Sequence, residues 1–475
     1  HMCGLGGDLF AVVVGAGGAS PLALNASGRA GTGADPDAMR GEGHQRMPFQ
    51  RDARSVTVPG FVDGLIALHA RLATLGRDEL LAPAIELAQH GFPVSRALAE
   101  ASRELPAQVR ATGFGADTAL RAGRPQAVPG VAAALRAVAS GGRAAFYEGS
   151  AGAELVKLGA GLFSEQDLAA SSADWVTPLT LAAFGATLWT VPPNSQGYLA
   201  LSGAWIADAV GVPADPDDEL WAFALVESAR QAARDRIAVL HEHADGAQLL
   251  SPARLRPRAE AVAERASRGL PDVYGRGGTT YVCAVDAARM GVSLIISNCA
   301  GFGSQLILPE HGIFLHNRGM GFSLTAGHPA ELGPGRRPPH TLAPVAITDA
   351  AGGFRAVLGT MGGDAQPQIL LQLLARTLVC GQDAGPAVAA PRWCLTREDQ
   401  TGFRVWELEE PPIVTLEHAA PRGWAAGLSR RGYRVAHSGP GERGFGHAQL
   451  IEVAADNMLC GAADPRSARG AFVGR

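Results

Sequence analysis

Two glycines run directly into two threonines and then into an apolar, β-branched stretch, Gly277-Gly278-Thr279-Thr280-Tyr281-Val282-Cys283-Ala284-Val285. That order suits a chain that cuts itself. The Thr279 hydroxyl can attack the carbonyl of Gly278, and the ester formed by this N-to-O acyl shift can be released by water. Glycine at 278 helps, because it brings no Cβ into a strained attack geometry. The freed α-amine of Thr279 then lies beside its own Oγ and, with a reference pKa near 8, can serve as general base for it. Taken alone, the same four residues also describe an ordinary junction between a loop and a strand.

A second chemical feature lies downstream. Gly359-Thr360-Met361-Gly362-Gly363-Asp364 precedes a strongly apolar segment of helical period, 367–381. Consecutive glycines at a helix start can present backbone N–H groups to a developing anion. Gly362 and Gly363 are therefore candidate oxyanion donors, and a plain helix start is the alternative.

These groups need a scaffold. Leu9 to Val14 and Leu22 to Asn25 read as strands, and 31–54 lacks periodicity and reads as a loop. Val58-Pro59-Gly60 opens a helix through Leu65, Leu68 and Leu72, and Leu80 to His90 forms another, stopped by Gly91 and Pro93. Helices continue to about residue 160. Trp175 to Thr190 alternates like paired strands, and Trp205 to Val210 and Leu220 to His241 are helical in pattern. Residues 251–278 are polar and Arg-rich and read as a mobile linker. After Thr279 the texture changes: Tyr281 to Val285, Val292 to Ser297, Gln305 to Leu308 and Pro344 to Thr348 read as successive strands. A helix-rich first half and a strand-led second half suit one layered α/β domain.

Composition narrows the function. Of 475 residues 18% are charged and the net charge is −4, which gives no basic footprint for nucleic acid or an anionic membrane. No apolar run reaches a membrane span, and no charged-then-apolar export signal is visible. Cys3, Cys283, Cys299, Cys380, Cys394 and Cys460 form no CxxC pair, consistent with reduced thiols in a cytoplasmic protein. Val14-Gly15-Ala16-Gly17-Gly18 lacks the spacing of a dinucleotide fingerprint. His241 and His243 have no acidic neighbour at ligand spacing, so no metal site is expected. A binding protein that kept only a catalytic fold would need a broken nucleophile or glycine motif, and both are intact.

The ordered motifs resemble the gamma-glutamyltranspeptidase family over nearly the whole chain. Cys3-Gly4-Leu5-Gly6-Gly7-Asp8, Ser55-Val56-Thr57-Val58-Pro59-Gly60, Leu80 to Ile85, Gly91 to Ser95, Pro192-Pro193-Asn194-Ser195-Gln196-Gly197, Gly278 to Asp286, Arg337-Pro338 and Gly461-Ala462-Ala463-Asp464-Pro465-Arg466 carry the likeness. It implies an α/β (α+β) fold, a four-layer αββα sandwich of N-terminal-nucleophile hydrolase type. Cleavage would give a large subunit, 1–278, and a small one, 279–475, which together form one structural domain and a heterodimer; a dimer of heterodimers is open.

The resemblance also implies roles. Thr279 would be the nucleophile, Ser297 a hydroxyl bonded to it, and Gly362 and Gly363 the oxyanion hole. Arg29 would grip a substrate carboxylate, with Asn298, Arg318, His340 and Thr341 as further substrate-binding positions. Departures point away from glutamyl substrates. Where the family pairs the substrate ammonium with a Gln and an acid, this chain has Arg318 and Gly321, and the family's paired Ser reads His340-Thr341. A cation there implies a small anionic substrate, a carboxylate-bearing amide or a keto acid. The expected activity is hydrolysis of an amide or acyl bond without metal or cofactor. The alternative is a C–C bond hydrolase that removes an oxalyl or keto-acid side group in the biosynthesis of a 4-alkylproline antibiotic.

Overall fold

The computed structural model describes residues 1–15, 17, 19–262, 266, 278–396, 413–440, 444–467 and 470–474. The chain divides into two compact units. One comprises His1–Leu9, Leu24–Asp174 and Ile296–Pro339; the other comprises Phe10–Ala23, Trp175–Ile295 and His340–Arg475. Each unit draws chain from both sides of the Gly278–Thr279 bond.

The second unit contains a six-stranded sheet ordered Leu459–Ala463, His447–Val453, Phe354–Met361, Val345–Thr348, Ala186–Thr190, Leu179–Ala183. Every neighbouring pair is antiparallel. Side chains alternate across its plane, as a strand's period of two requires. On one face Ala346 and Val357 join Phe10, Val12, Val14, Tyr281 and Ile295 in a core. On the other, Val345, Ile347, Ala356 and Leu358 pack with helices Tyr198–Val210, Glu219–Ala233 and Gln366–Leu378.

A five-stranded sheet is ordered Asp174–Val176, Leu22–Ala26, Asp8–Val14, Gly291–Cys299, Gly278–Val285. Phe10, Val12 and Val14 face the core just described. Leu9, on the opposite face, meets helix Phe61–Leu72, where a Cβ on Gly64 would lie 2.7 Å from the Ala26 Cβ and 3.1 Å from a Leu9 methyl. Helices packed on sheets are the elements of an α+β sandwich. In the first unit, Val62, Ala132, Leu135, Val138, Phe146, Leu155, Leu308 and Leu315 form a further core.

Three sequence expectations need correction. Residues 31–54 are not a plain loop: helix Pro36–Gly41 starts at Asp35, whose side chain accepts from the Ala38 N–H, and Met39 anchors it. Cap chemistry rather than an apolar stripe makes this short helix. The pattern from Leu220 to His241 is not one helix. It ends at Ala233 and resumes as Arg236–Val239, because Asp235 turns away to pair with Arg254 and Arg258 at 2.8 and 2.6 Å. The start of the expected linker is a helix, Pro252–Glu260, pinned by buried Leu255 and Arg258. Its polar composition hid it, since arginine stems cover apolar surface while their heads bond carbonyls. Tyr274 to Gly277 lie outside the described residues. All six cysteines are free thiols, and burial pushes Cys283 and Cys394 up to about 12.

Candidate active site

Thr279 is buried near the start of strand Gly278–Val285. Two residues on, Tyr281 turns inward, and its ring covers Gly359: a Cβ there would lie 2.1 Å from the ring. The Tyr281 hydroxyl meets Ser293 Oγ at 2.8 Å, and Ser293 Oγ donates to the Leu358 carbonyl at 3.3 Å. Burial raises the Tyr281 phenol well above its usual range, so it stays neutral. The strand bearing Thr279 is thus fastened to the strand that leads into Gly362 and Gly363.

Both glycines have positive φ, 142° and 58°, a backbone that side-chain-bearing residues avoid. A short 3-10 turn, Gly363–Ala365, intervenes before helix Gln366–Leu378. A buried polar network holds this turn. Gln196 Nε2 donates to the Gly363 carbonyl at 3.0 Å and to the Thr341 carbonyl at 2.9 Å. Arg236 Nη2 donates to Gln196 Oε1 at 2.6 Å and to Asp364 Oδ1 at 2.7 Å. Gln196 engages the carbonyl of Gly363 and makes no claim on its N–H. The adjoining segment is tied back as well: the Gln196 N–H donates to the His340 carbonyl and Ser195 Oγ to the Leu342 carbonyl. His340 is buried edge-on against Phe10, and its Nδ1 accepts from the Leu342 N–H at 3.2 Å.

In the first unit, Asp8 is the organiser. Its Oδ1 accepts from the N–H groups of Gly28 at 2.9 Å and Gly60 at 3.1 Å. Added Cβ atoms would meet the Val58 carbonyl oxygen at 1.6 Å from Gly28 and the Ala26 carbonyl oxygen at 2.0 Å from Gly60. Three motifs far apart in sequence thereby converge on one carboxylate. Gly7 lies against Ser297 and Asn298, with a Cβ position 2.6 Å from the Ser297 carbonyl oxygen and from Asn298 Oδ1. The Asn298 N–H donates to the Met2 carbonyl at 2.8 Å.

Arg318 is buried, and its Nη2 donates to Ser297 Oγ at 3.4 Å; that oxygen also accepts from the Cys299 N–H at 2.8 Å. His316 sets the Arg318 backbone. Its Nδ1 accepts the Arg318 N–H at 3.0 Å, which leaves Nε2 to donate to the Thr57 carbonyl at 3.1 Å. Burial, with the Arg318 charge assisting, holds the His316 pKa below its usual value against the pull of Asp8. Arg29 belongs to the same unit. Its side chain is 37% exposed, and its guanidinium pairs with Asp174 at 3.3 Å and donates to the Gly335 carbonyl at 3.1 Å.

The structure thus brings Arg318 to Ser297, and Thr341 and Gly363 to Gln196. In the sequence, Gln196, Asp364 and Tyr281 stand out only as members of motifs, and Arg236 and His316 do not stand out at all. Arg236 is one of three arginines in the helical pattern Leu220 to His241, and nothing in the sequence separates it from Arg230 and Arg234. No cluster of His, Cys, Asp and Glu that could hold a metal occurs among the described residues. No helix among them is long and apolar enough to cross a membrane.

A family model described as gamma-glutamyltranspeptidase matches residues 1–474. The chain belongs to the gamma-glutamyltranspeptidase family. It is an N-terminal-nucleophile hydrolase. Among its relatives, the oxamate amidohydrolase proenzyme of Klebsiella pneumoniae is 34% identical, with 100% of this chain and 90% of that one covered. The glutathione hydrolase-like YwrD proenzyme of Bacillus subtilis is 30% identical over the same shares. In structure, this gamma-glutamyltranspeptidase-family chain is similar to cephalosporin acylase from Bacillus halodurans, with a TM-score of 0.87, 28% identity, and 100% of this chain and 88% of that chain covered.

Proposed function

We propose that the chain cleaves itself at Gly278–Thr279 and then hydrolyses an amide of a small carboxylate-bearing substrate through a Thr279 acyl-enzyme. The new α-amine of Thr279 takes the proton from its own Oγ as that oxygen attacks the substrate carbonyl. Gly362 and Gly363 N–H groups receive the developing oxyanion, ammonia or an amine leaves, and water releases the acid. Ser297 bonds the nucleophile, while Asn298, His340 and Thr341 contribute to substrate contacts. The two fragments remain together as a heterodimer.

The observation that carries the substrate class is the buried Arg318 guanidinium against Ser297 Oγ at 3.4 Å. A buried cation favours a substrate anion and disfavours the ammonium of a γ-glutamyl group. The relative at 34% identity bears the name oxamate amidohydrolase, whose substrate is an amide joined to a carboxylate. Arg29 is a second candidate clamp, in competition with Asp174.

Mass spectrometry and release assays test this reading. From 49.0 kDa, cleavage yields fragments of roughly 29 and 20 kDa, the smaller beginning Thr-Thr-Tyr, and Thr279→Ala remains one chain. Purified enzyme should release ammonium from oxamate. An intact chain that still turns over substrate sinks the proposal. A C–C bond hydrolase would use the same anion site, so keto-acid-bearing prolines belong in the same screen.

A further inference from the structure

A second nucleophilic constellation stands in the first unit, formed by Ser150, His311 and Glu154. Ser150 Oγ lies 3.1 Å from His311 Nε2, and His311 Nδ1 lies 2.6 Å from Glu154 Oε1. Glu154 Oε2 accepts from the Glu310 N–H at 3.1 Å, so both carboxylate oxygens hold the loop that presents the imidazole. With Nδ1–H donated to Glu154, Nε2 is left to accept the Ser150 proton. This is the nucleophile–base–acid order of a serine hydrolase triad, which is recognised by geometry and roles rather than by sequence position.

The backbone around Ser150 also fits. Ser150 is the first residue of the ten-residue helix Ser150–Gly159, and Glu154 lies one turn on, on the same face. Glycine precedes Ser150 and recurs two residues after it, where other backbone approaches closely. A Cβ at Gly149 would meet the Ala145 carbonyl oxygen at 2.2 Å, and one at Gly152 the Tyr147 carbonyl oxygen at 1.8 Å. The outcome is a sharp entry into a helix with the serine at its start. In other hydrolases, where a strand rather than a helix leads into the turn, the N–H after the nucleophile is an oxyanion donor; here helix Pro129–Tyr147 leads in, and first-turn N–H groups have no intrahelical acceptor. Ser150 is exposed, whereas His311 and Glu154 are buried. A substrate can therefore reach the hydroxyl while the base and its partner stay fixed.

We infer that Ser150, His311 and Glu154 form a second hydrolytic site, one that acts on small activated carboxylic esters and is independent of Thr279. His311 Nε2 takes the hydroxyl proton as Ser150 Oγ bonds to the ester carbonyl carbon. The C–O bond to the leaving alcohol breaks, and that alcohol departs with the proton. Water, deprotonated by the same nitrogen, then attacks the acyl-serine to give the acid and restore Ser150.

The test uses a fluorophosphonate probe and p-nitrophenyl acetate on the full chain, native and with Thr279→Ala. Peptide mapping should find the phosphonate on Ser150 in both proteins. Ser150→Ala should remove that adduct and lower ester hydrolysis at least tenfold in the Thr279→Ala protein. His311→Gln should slow labelling at least tenfold, and Glu154→Gln by less. In otherwise native protein, Ser150→Ala should leave amide hydrolysis unchanged. No adduct on Ser150, or equal labelling rates with and without the His311 imidazole, would overturn the inference and leave the trio a fastening between a helix and a loop.

Discussion

Gln196 places one side-chain nitrogen between two carbonyls, 2.9 Å from that of Thr341 and 3.0 Å from that of Gly363. The residue proposed for substrate contact and the residue proposed for the oxyanion hole are thus held by a single carboxamide. Arg236, 1% exposed, braces that carboxamide from behind.

Gln196→Met should therefore lower kcat while leaving KM nearly unchanged. It removes both donors and leaves the Arg236 charge with a lost acceptor, a cost of about 2–4 kcal/mol split between stability and turnover. Denaturant unfolding and steady-state kinetics on one preparation separate the two shares. A change in KM alone would mean that the turn is not what Gln196 positions.

Gly359→Ala should destabilise by about 1–3 kcal/mol, because its Cβ would sit 2.1 Å from the Tyr281 ring and force overpacking. Since Tyr281 lies two residues from Thr279, self-cleavage should slow as well. Tyr281→Leu added to Gly359→Ala should recover part of the melting temperature. Failure of the double variant to improve on the single one would show that the ring is not the obstacle.

His316 carries a pH dependence of stability. Burial lowers its folded pKa below the unfolded value of about 6.5, so above that pH neither state binds the proton. As pH falls below about 6.5 the unfolded chain takes up a proton that folded His316 refuses, and stability drops by at most roughly 1.4 kcal/mol per pH unit until the folded pKa is reached. His316→Gln should flatten that slope as pH falls below about 6.5 in urea titrations. An unchanged slope would assign the acid sensitivity to other groups.

Arg318→Met should reduce kcat/KM on a small anionic amide by about thirtyfold or more, the loss of a buried charge partner being worth about 2–5 kcal/mol. Arg29→Ala should cost less, several-fold, because its side chain is 37% exposed and its guanidinium is shared with Asp174. Self-cleavage should survive in both. Efficient turnover of a chromogenic γ-glutamyl anilide by the native enzyme would contradict the assignment of Arg318 to an anion.

What could be read from the sequence was local chemistry and period. Gly278-Thr279 entering a strand, paired glycines ahead of an apolar helix, and the alternation of Leu9 to Val14 all carry their meaning within a few residues, and the strands lie close to where they were expected. Short elements held by caps or buried arginines, Pro36–Gly41 and Pro252–Glu260, did not, because their stability comes from partners elsewhere. The site's support was decided by tertiary structure alone. Asp8 reaches Gly60 across 52 positions, and Gln196 reaches Gly363 across 167. The Ser150–His311 pair spans 161. Hydrogen bonds at such separations leave no spacing to read: each partner is an ordinary residue until the fold closes the loop between them and removes water from the contact.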